Sequence, residues 1–254
     1  MMFPDNDNYL HWYDGPATWR HLPQVVLAFL LAILFVFALG AIAKTGRIAG
    51  SAHVIDGDTL DVGGHRIRVF GIDAPEKAQK CNGANGTDWA CGKAATRELA
   101  SLVTGKRIAC AVKNPDQYDR LIALCRDGAM DIGAEMVRRG MAWAFIKYET
   151  PYVSLEARPR AMGIGIWQAP TMTPWEFRKK RWHVEAQLAP KGCPIKGNIN
   201  RYGEHIYHVP WSRDYDRTRV SPEKGERWFC DEGQALRAGW RPPKPVSLHT
   251  GEPQ

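Results

Sequence analysis

The sequence contains no C-x-x-C pair and no internal repeat, and histidines such as His53 and His65 stand at no metal-ligand spacing. Those absences argue against a zinc ribbon and against a thioredoxin-type redox centre. General disorder is excluded too, because 44% of the 254 residues are hydrophobic and 24% charged. Acidic residues are the scarcer sign: 27 Asp and Glu face 34 Lys and Arg, a formal charge of +7. That balance suits a polyanion such as nucleic acid, or an anionic membrane surface, and charge alone does not choose between them.

Charge is missing altogether from Val25 to Ala43, VVLAFLLAILFVFALGAIA. The run is long enough to cross ~30 Å of hydrocarbon and has no polar face. Residues 23–44 therefore read as a transmembrane helix behind an N-terminal segment, 1–22. Ala41-Ile42-Ala43 offers a small-x-small cleavage pattern, but the stretch before it is long and poor in basic residues for a signal peptide, so an uncleaved anchor is expected. Orientation signals conflict. Lys44 and Arg47 after the span, against Asp5, Asp7 and Asp14 before it, favour a cytoplasmic C-terminal part. The cysteines Cys81, Cys91, Cys110, Cys125, Cys193 and Cys230 fall in consecutive pairs, which favours disulfides in an oxidising compartment.

After the span, alternating apolar residues in Ala52–Ile55, Thr59–Val62 and Ile67–Ile72 predict short strands, with Asp56-Gly57 and Gly63-Gly64 as turns. Gly92–Leu102 has helical spacing, with Ala95, Leu99 and Leu102 on one face. Arg107–Val112 and Leu121–Arg126 read as two antiparallel strands, Ile132–Arg139 as a helix closed by Gly140, and Leu155–Met162 as a third helix, which Pro159 should kink. Strands with interleaved helices predict a compact α+β unit over 48–182. A linker is expected over 183–191, a small α+β module over 192–243 and a disordered Pro-rich tail over 244–254.

Two stretches carry chemistry. His53-Val-Ile-Asp-Gly-Asp-Thr59 precedes Ile67-Arg-Val-Phe-Gly-Ile-Asp-Ala-Pro-Glu76, and Asp116-Gln-Tyr-Asp-Arg120 leads into Leu121. Asp58 and Asp73 offer hard oxygens at strand ends, which suit calcium. Arg68 and Arg120 supply planar guanidinium groups that fork around phosphate oxygens as lysine cannot. DGDT, then IR-x-x-GIDAPE, then D-x-Y-x-R, in that order, resemble the signatures of the staphylococcal-nuclease-like (thermonuclease) family, and the likeness runs from about Ala52 to Trp182.

The resemblance implies a five-stranded OB-type β-barrel with packed helices, and a calcium-dependent nuclease that hydrolyses DNA, RNA or both and leaves 3′-phosphates. It implies Asp58, Asp73 and the Ala74 carbonyl as metal ligands, and Glu76 as general base. Arg68 and Arg120 would stabilise transition-state charge, and Tyr118 and Tyr148 would contact the nucleotide. The family often has a hydroxyl residue where Ala74 stands, and usually glycine where Asp119 sets an extra acid beside Arg120. Asp56 and Gly57 are equally well read as turn formers. The alternative is a catalytically silent nucleic-acid-binding or scaffolding module on the same barrel, and the complete set of acids and arginines argues against it.

Cys110 and Cys125 fall in strands that flank the third motif, and Cys81 and Cys91 close a short loop after Glu76. In the C-terminal module, a Cys193–Cys230 disulfide competes with a Cys₂His₂ zinc site using His205 and His208. That module resembles one that recurs at the ends of bacterial nuclease-like and surface proteins, which implies a cell-envelope or protein partner. The run Phe177-Arg-Lys-Lys-Arg-Trp182 sets basic charge between aromatics and reads either as a contact for nucleic acid or lipid or as a solvated helix face. Together these expectations describe a single-pass protein of the bacterial inner membrane with its nuclease domain in the periplasm or outside.

Overall fold

The computed structural model describes residues 46–115, 120–145 and 152–243. Strands β1 (Arg47–Val54), β2 (Thr59–Val62) and β3 (His65–Val69) form an antiparallel meander. The two-residue strand β4 (Ile72–Asp73) follows, then a ribbon of β5 (Cys81–Asn82) and β6 (Asp88–Trp89), and helix α1 (Cys91–Val103). Strands β7 (Arg107–Pro115), β8 (Leu121–Asp127) and β9 (Met130–Asp131) lead into α2 (Ile132–Arg138), β10 (Trp143–Ala144) and α3 (Ala157–Ala161).

The sheet order β3-β2-β1-β7-β8 closes on itself because β3 also pairs in parallel with β8, Ile67 opposite Leu121. Five strands thus make a closed barrel, which leaves those strands no free edge. Inward positions carry the apolar half of each alternation: Leu60, Val62, Ile67, Val69, Ile108 and Ala123 are buried in one core. Helix α1 seals an end of it with Ala95, Leu99 and Leu102, the face expected from their spacing. Cys110 sits opposite Cys125 in the β7–β8 register and is bonded to it, and a second disulfide joins Cys81 to Cys91.

The third predicted helix is built differently. Val153–Glu156 is a 3₁₀ turn, and α3 begins only at Ala157. Pro159 therefore lies in the first turn of α3, where a backbone N–H has no partner within the helix.

Helix α4 (Pro174–Leu188) opens with a capping box, in which Thr173 and Glu176 exchange side-chain and backbone hydrogen bonds and Pro174 takes the first helical position. It runs to Leu188, so residues 183–188 are helix where the sequence suggests a linker, and the chain leaves the helix only at Ala189, before Pro190. Beyond it, β11 (Ile195–Ile199), β12 (His205–His208) and β13 (Arg227–Phe229) form a sheet ordered β12-β11-β13, followed by α5 (Glu232–Arg237). Ile195, Tyr207, Phe229, Ala235 and Trp240 make a second core, and Trp182 of α4 packs against it. Cys193 and Cys230 form a disulfide here. That bond removes the zinc alternative, and His205 instead stacks on Trp240 at 4.8 Å.

The expected transmembrane helix and the tail lie outside the described residues. Among those described, no helix is long and apolar enough to cross a membrane.

His208 makes the module sensitive to acid. Its Nε2 meets Asn198 Oδ1 at 2.9 Å, while its Nδ1 is buried without a partner. Burial pushes its pKa down to about 4, against the pull of Asp214 and with the help of Lys196. The folded imidazole therefore stays neutral while the unfolded one binds a proton below about pH 6.5. Stability contributed by this site is complete above that pH and is lost as pH falls towards 4, by about 3 kcal/mol at most. Denaturant melts followed by tryptophan fluorescence should show this loss between pH 7 and 4.5, and His208→Gln should flatten it. An equal slope in both proteins would place the acid sensitivity elsewhere.

Candidate active site

The turn after β1 sets the first acid. Asp56 accepts the Asp58 N–H at 3.2 Å, and Thr59 Oγ1 donates to Asp58 Oδ1 at 2.9 Å. A side chain at Gly57 would put its Cβ 2.7 Å from that of Ala74 and 2.9 Å from that of Ala95, so this glycine lets the first motif lie against the second. The contact is sealed by Asp58 Oδ2, which accepts the Ala74 N–H at 3.2 Å. Asp56 and Gly57, readable as turn formers alone, are thus the braces of the site.

Asp73 stands at the end of β4, where it pairs with Trp143 of β10, and its side chain is fully buried. Arg68, on β3, bridges the two acids. Its Nη1 donates to Asp58 Oδ1 and its Nη2 to Asp73 Oδ1, each at 3.0 Å, and Nη2 also faces Asp58 Oδ2 at 3.0 Å. Two carboxylates therefore converge on one cationic nitrogen. Burial lowers the Arg68 pKa, but Asp58 and Asp73 outweigh it and raise the pKa above the ordinary value.

Glu76 is fixed through its own turn. Its N–H donates to Gln79 Oε1 at 3.1 Å and its carbonyl accepts the Gln79 N–H at 2.7 Å. The buried Gln79 amide then donates to the Met172 carbonyl at 2.7 Å, which ties the turn to the segment entering α4. Burial pushes the Glu76 carboxyl up to about 8, against the pull of Arg178 and with the help of the neighbouring Asp56 and Asp58 charges. A carboxyl in that range is largely protonated at neutral pH, so it can take a proton only once added positive charge beside it lowers its pKa.

Arg178 is the residue that motif reading does not assign. From α4 it donates with Nη2 to Asp73 Oδ2 at 2.7 Å, and with Nη1 to Asp73 Oδ1 at 3.0 Å and Glu76 Oε1 at 2.7 Å. The basic run 177–182 is therefore neither a uniform contact strip nor a uniformly solvated face. Lys179 and Lys180 are exposed, Arg178 turns into the site, and Arg181 reaches the module through the Pro210 carbonyl and Asp216.

The structure brings Asp58, Arg68, Asp73 and Glu76 together and sets Ala74 against Asp58. Arg120 directly precedes β8, the strand whose register places Ile122 beside Arg68. Tyr207 of the module, raised by burial and by Glu232, also feels the charges of Arg66 and Arg120, so the module borders this part of the barrel. Tyr118, Asp119 and Tyr148 lie outside the described residues. Among those described, no three His, Cys, Asp or Glu side chains form a metal-ready group, and guanidinium groups pair the carboxylates. The donor set nevertheless fits calcium: two acidic side chains with hard oxygens converge on a single cation, beside a third carboxylate.

Comparison with known proteins gives the same direction. Residues 66–169 match the family described as staphylococcal nuclease homologue. The succinoglycan biosynthesis protein ExoI of Rhizobium meliloti is 32% identical over 152 residues, covering 58% of this chain and 76% of that protein. A Haemophilus influenzae protein named uncharacterized endonuclease is 33% identical over 151 residues, 57% of this chain and 78% of the relative. A Shigella flexneri protein named micrococcal nuclease is 30% identical over 144 residues, 50% and 77% of the two chains.

Proposed function

The chain belongs to the staphylococcal nuclease homologue family, and we propose that it is a calcium-dependent phosphodiesterase that hydrolyses DNA, RNA or both to products with 3′-phosphates. One observation carries the reading: Asp58 and Asp73 converge on Arg68, on a strand of the closed barrel, and Arg178 ties Glu76 to Asp73. Binding modules need no such group, whereas phosphodiester hydrolysis needs an activated water and a counter-charge for the phosphoryl oxygens.

In this reading Asp58, Asp73 and the Ala74 carbonyl would hold the calcium, which would supply positive charge to the phosphate and lower the pKa of water. Glu76 takes the proton from the attacking water, and the Gln79 contacts keep its turn in place. Arg68 and Arg120 fork around the phosphoryl oxygens as their charge grows. Tyr118 and Tyr148 are proposed to contact the nucleotide. The test is hydrolysis of single-stranded DNA and RNA with calcium and with chelator. Turnover with calcium that stops on chelation supports the reading, and binding without turnover would favour the silent module.

The nuclease is proposed to work outside the cytosol, tethered to the bacterial inner membrane by the apolar run Val25–Ala43. All six cysteines are disulfide-bonded, as suits an oxidising compartment. Alkylation of unreduced protein from freshly lysed cells should label no cysteine, and reduction should expose six. Six readily labelled thiols would instead favour the cytoplasmic orientation that Lys44 and Arg47 suggest. The C-terminal module is assigned a positioning role, with a cell-envelope or protein partner.

A further inference from the structure

The carboxylates assigned to calcium are already engaged on every oxygen. Asp58 Oδ1 accepts from Arg68 Nη1 and Thr59 Oγ1, while Oδ2 accepts the Ala74 N–H and faces Arg68 Nη2. Asp73 Oδ1 accepts from Arg68 and Arg178, and Oδ2 accepts from Arg178 again. Each carboxylate oxygen offers two acceptor directions. Among the contacts of the described residues, only Asp73 Oδ2 of the four oxygens retains an unused one, and Glu76 is also engaged by Arg178 at 2.7 Å. A divalent ion that draws on Asp58 must therefore displace Arg68, Thr59 or the Ala74 N–H, and one that draws on Asp73 Oδ1 or Glu76 Oε1 competes there with Arg178.

The two arginines differ in how easily they can leave. Arg68 is set in the closed barrel, on a strand hydrogen-bonded on both sides. Arg178 projects from a peripheral helix that lies beyond the family match at 66–169. Its side chain is 23% exposed, against 16% for Arg68. Its long stem can swing without any change in the barrel.

We propose that Arg178 is the internal counter-cation of this site: its docking on Asp73 and Glu76 and the binding of a divalent cation exclude one another. The proposal rests on the calcium reading above. In the absence of metal, Arg178 spares Asp73 and Glu76 the cost of buried, unpaired charge. With metal present, apparent affinity is reduced by the fraction of molecules in which the arginine is docked. The module enters this balance through α4. Arg181 and Trp182, within one turn of Arg178, anchor that helix to Pro210, Asp216 and the second core.

The experiment is calorimetric titration of the full-length chain with calcium, without nucleic acid, for wild type, Arg178→Gln and Arg178→Lys. Removing the competing cation should tighten calcium binding about 10-fold, within the usual 5–150-fold span of coupled sites, and Arg178→Lys should fall between. A second measurement uses the wild type alone, so that no folding defect enters. Peptide mapping after treatment with an arginine-selective dicarbonyl should show Arg178 reacting several-fold faster when calcium is added. Equal or weaker binding by Arg178→Gln, or Arg178 no more reactive with calcium, overturns the exclusion and leaves the calcium reading standing. Failure of all three proteins to bind calcium at millimolar concentration overturns the calcium reading, and the exclusion with it.

Discussion

Glu76→Gln should reduce hydrolysis of a single-stranded oligonucleotide by about 10²-fold or more, with little change in stability. The substitution keeps the shape of the side chain and an oxygen that can still accept from Arg178, so the link to α4 survives while the base is lost. Arg120→Ala should cost a similar factor, on the scale of removing one transition-state charge partner. Arg68 calls for a different variant. Arg68→Ala leaves Asp58 and Asp73 buried without their shared partner, a change that costs about 3–5 kcal/mol when one half of a buried pair is removed. Arg68→Lys retains charge but not the fork, and is the better kinetic probe. Steady-state kcat and KM with saturating calcium, beside thermal melts, separate chemistry from folding. Undiminished kcat in Glu76→Gln would remove Glu76 as the base.

The parts of the site legible in sequence are those carried by the motifs. Asp58, Arg68 and Asp73 were located by the family motifs they stand in, and of the three Arg68 lies on a strand, β3, whose alternation the sequence also shows. Cysteine pairing was legible from the strands, since Cys110 and Cys125 occupy facing ones. The first half of β1 was not, because Ile48-Ala-Gly-Ser-Ala52 has little strand character of its own and is held by its pairing with β7.

Arg178 escaped for a different reason. Four consecutive basic residues cannot show which one turns inward unless the helix phase is known. The phase was available in Thr173-Pro174-Trp175-Glu176, a capping box with proline at the first helical position. From there Trp175, Arg178 and Trp182 share one face by i, i+3, i+7 spacing. Gln79 gave no signal. Its role comes from a hydrogen bond to Met172, 93 residues away, which no local pattern announces.

Gly92→Ala should lower kcat by about 10²-fold although residue 92 carries no chemistry, the scale of a 1 Å misplacement at a reacting group. Gly92 is the second residue of α1 and lies against the turn that presents the base. A Cβ there would fall 1.7 Å from the Glu76 carbonyl oxygen and 2.6 Å from its carbonyl carbon. Neither atom belongs to a flexible side-chain end, so the Glu76 backbone or the start of the helix must move. The helix start is tethered by the Cys81–Cys91 disulfide and by the Gly92 N–H, which donates to the Gln79 carbonyl at 3.3 Å. The strain therefore passes to residues 76–79, and the overpacking should also cost about 1–3 kcal/mol of stability. Gly46→Ala, whose new Cβ would meet nothing nearer than 3.9 Å, serves as the control. If the loss comes from misplacing the base, the double variant Gly92→Ala/Glu76→Gln should turn over no more slowly than Glu76→Gln alone, because a base already removed cannot be misplaced. A further loss equal to that of Gly92→Ala in the wild-type background would show that the glycine acts on the site by another route.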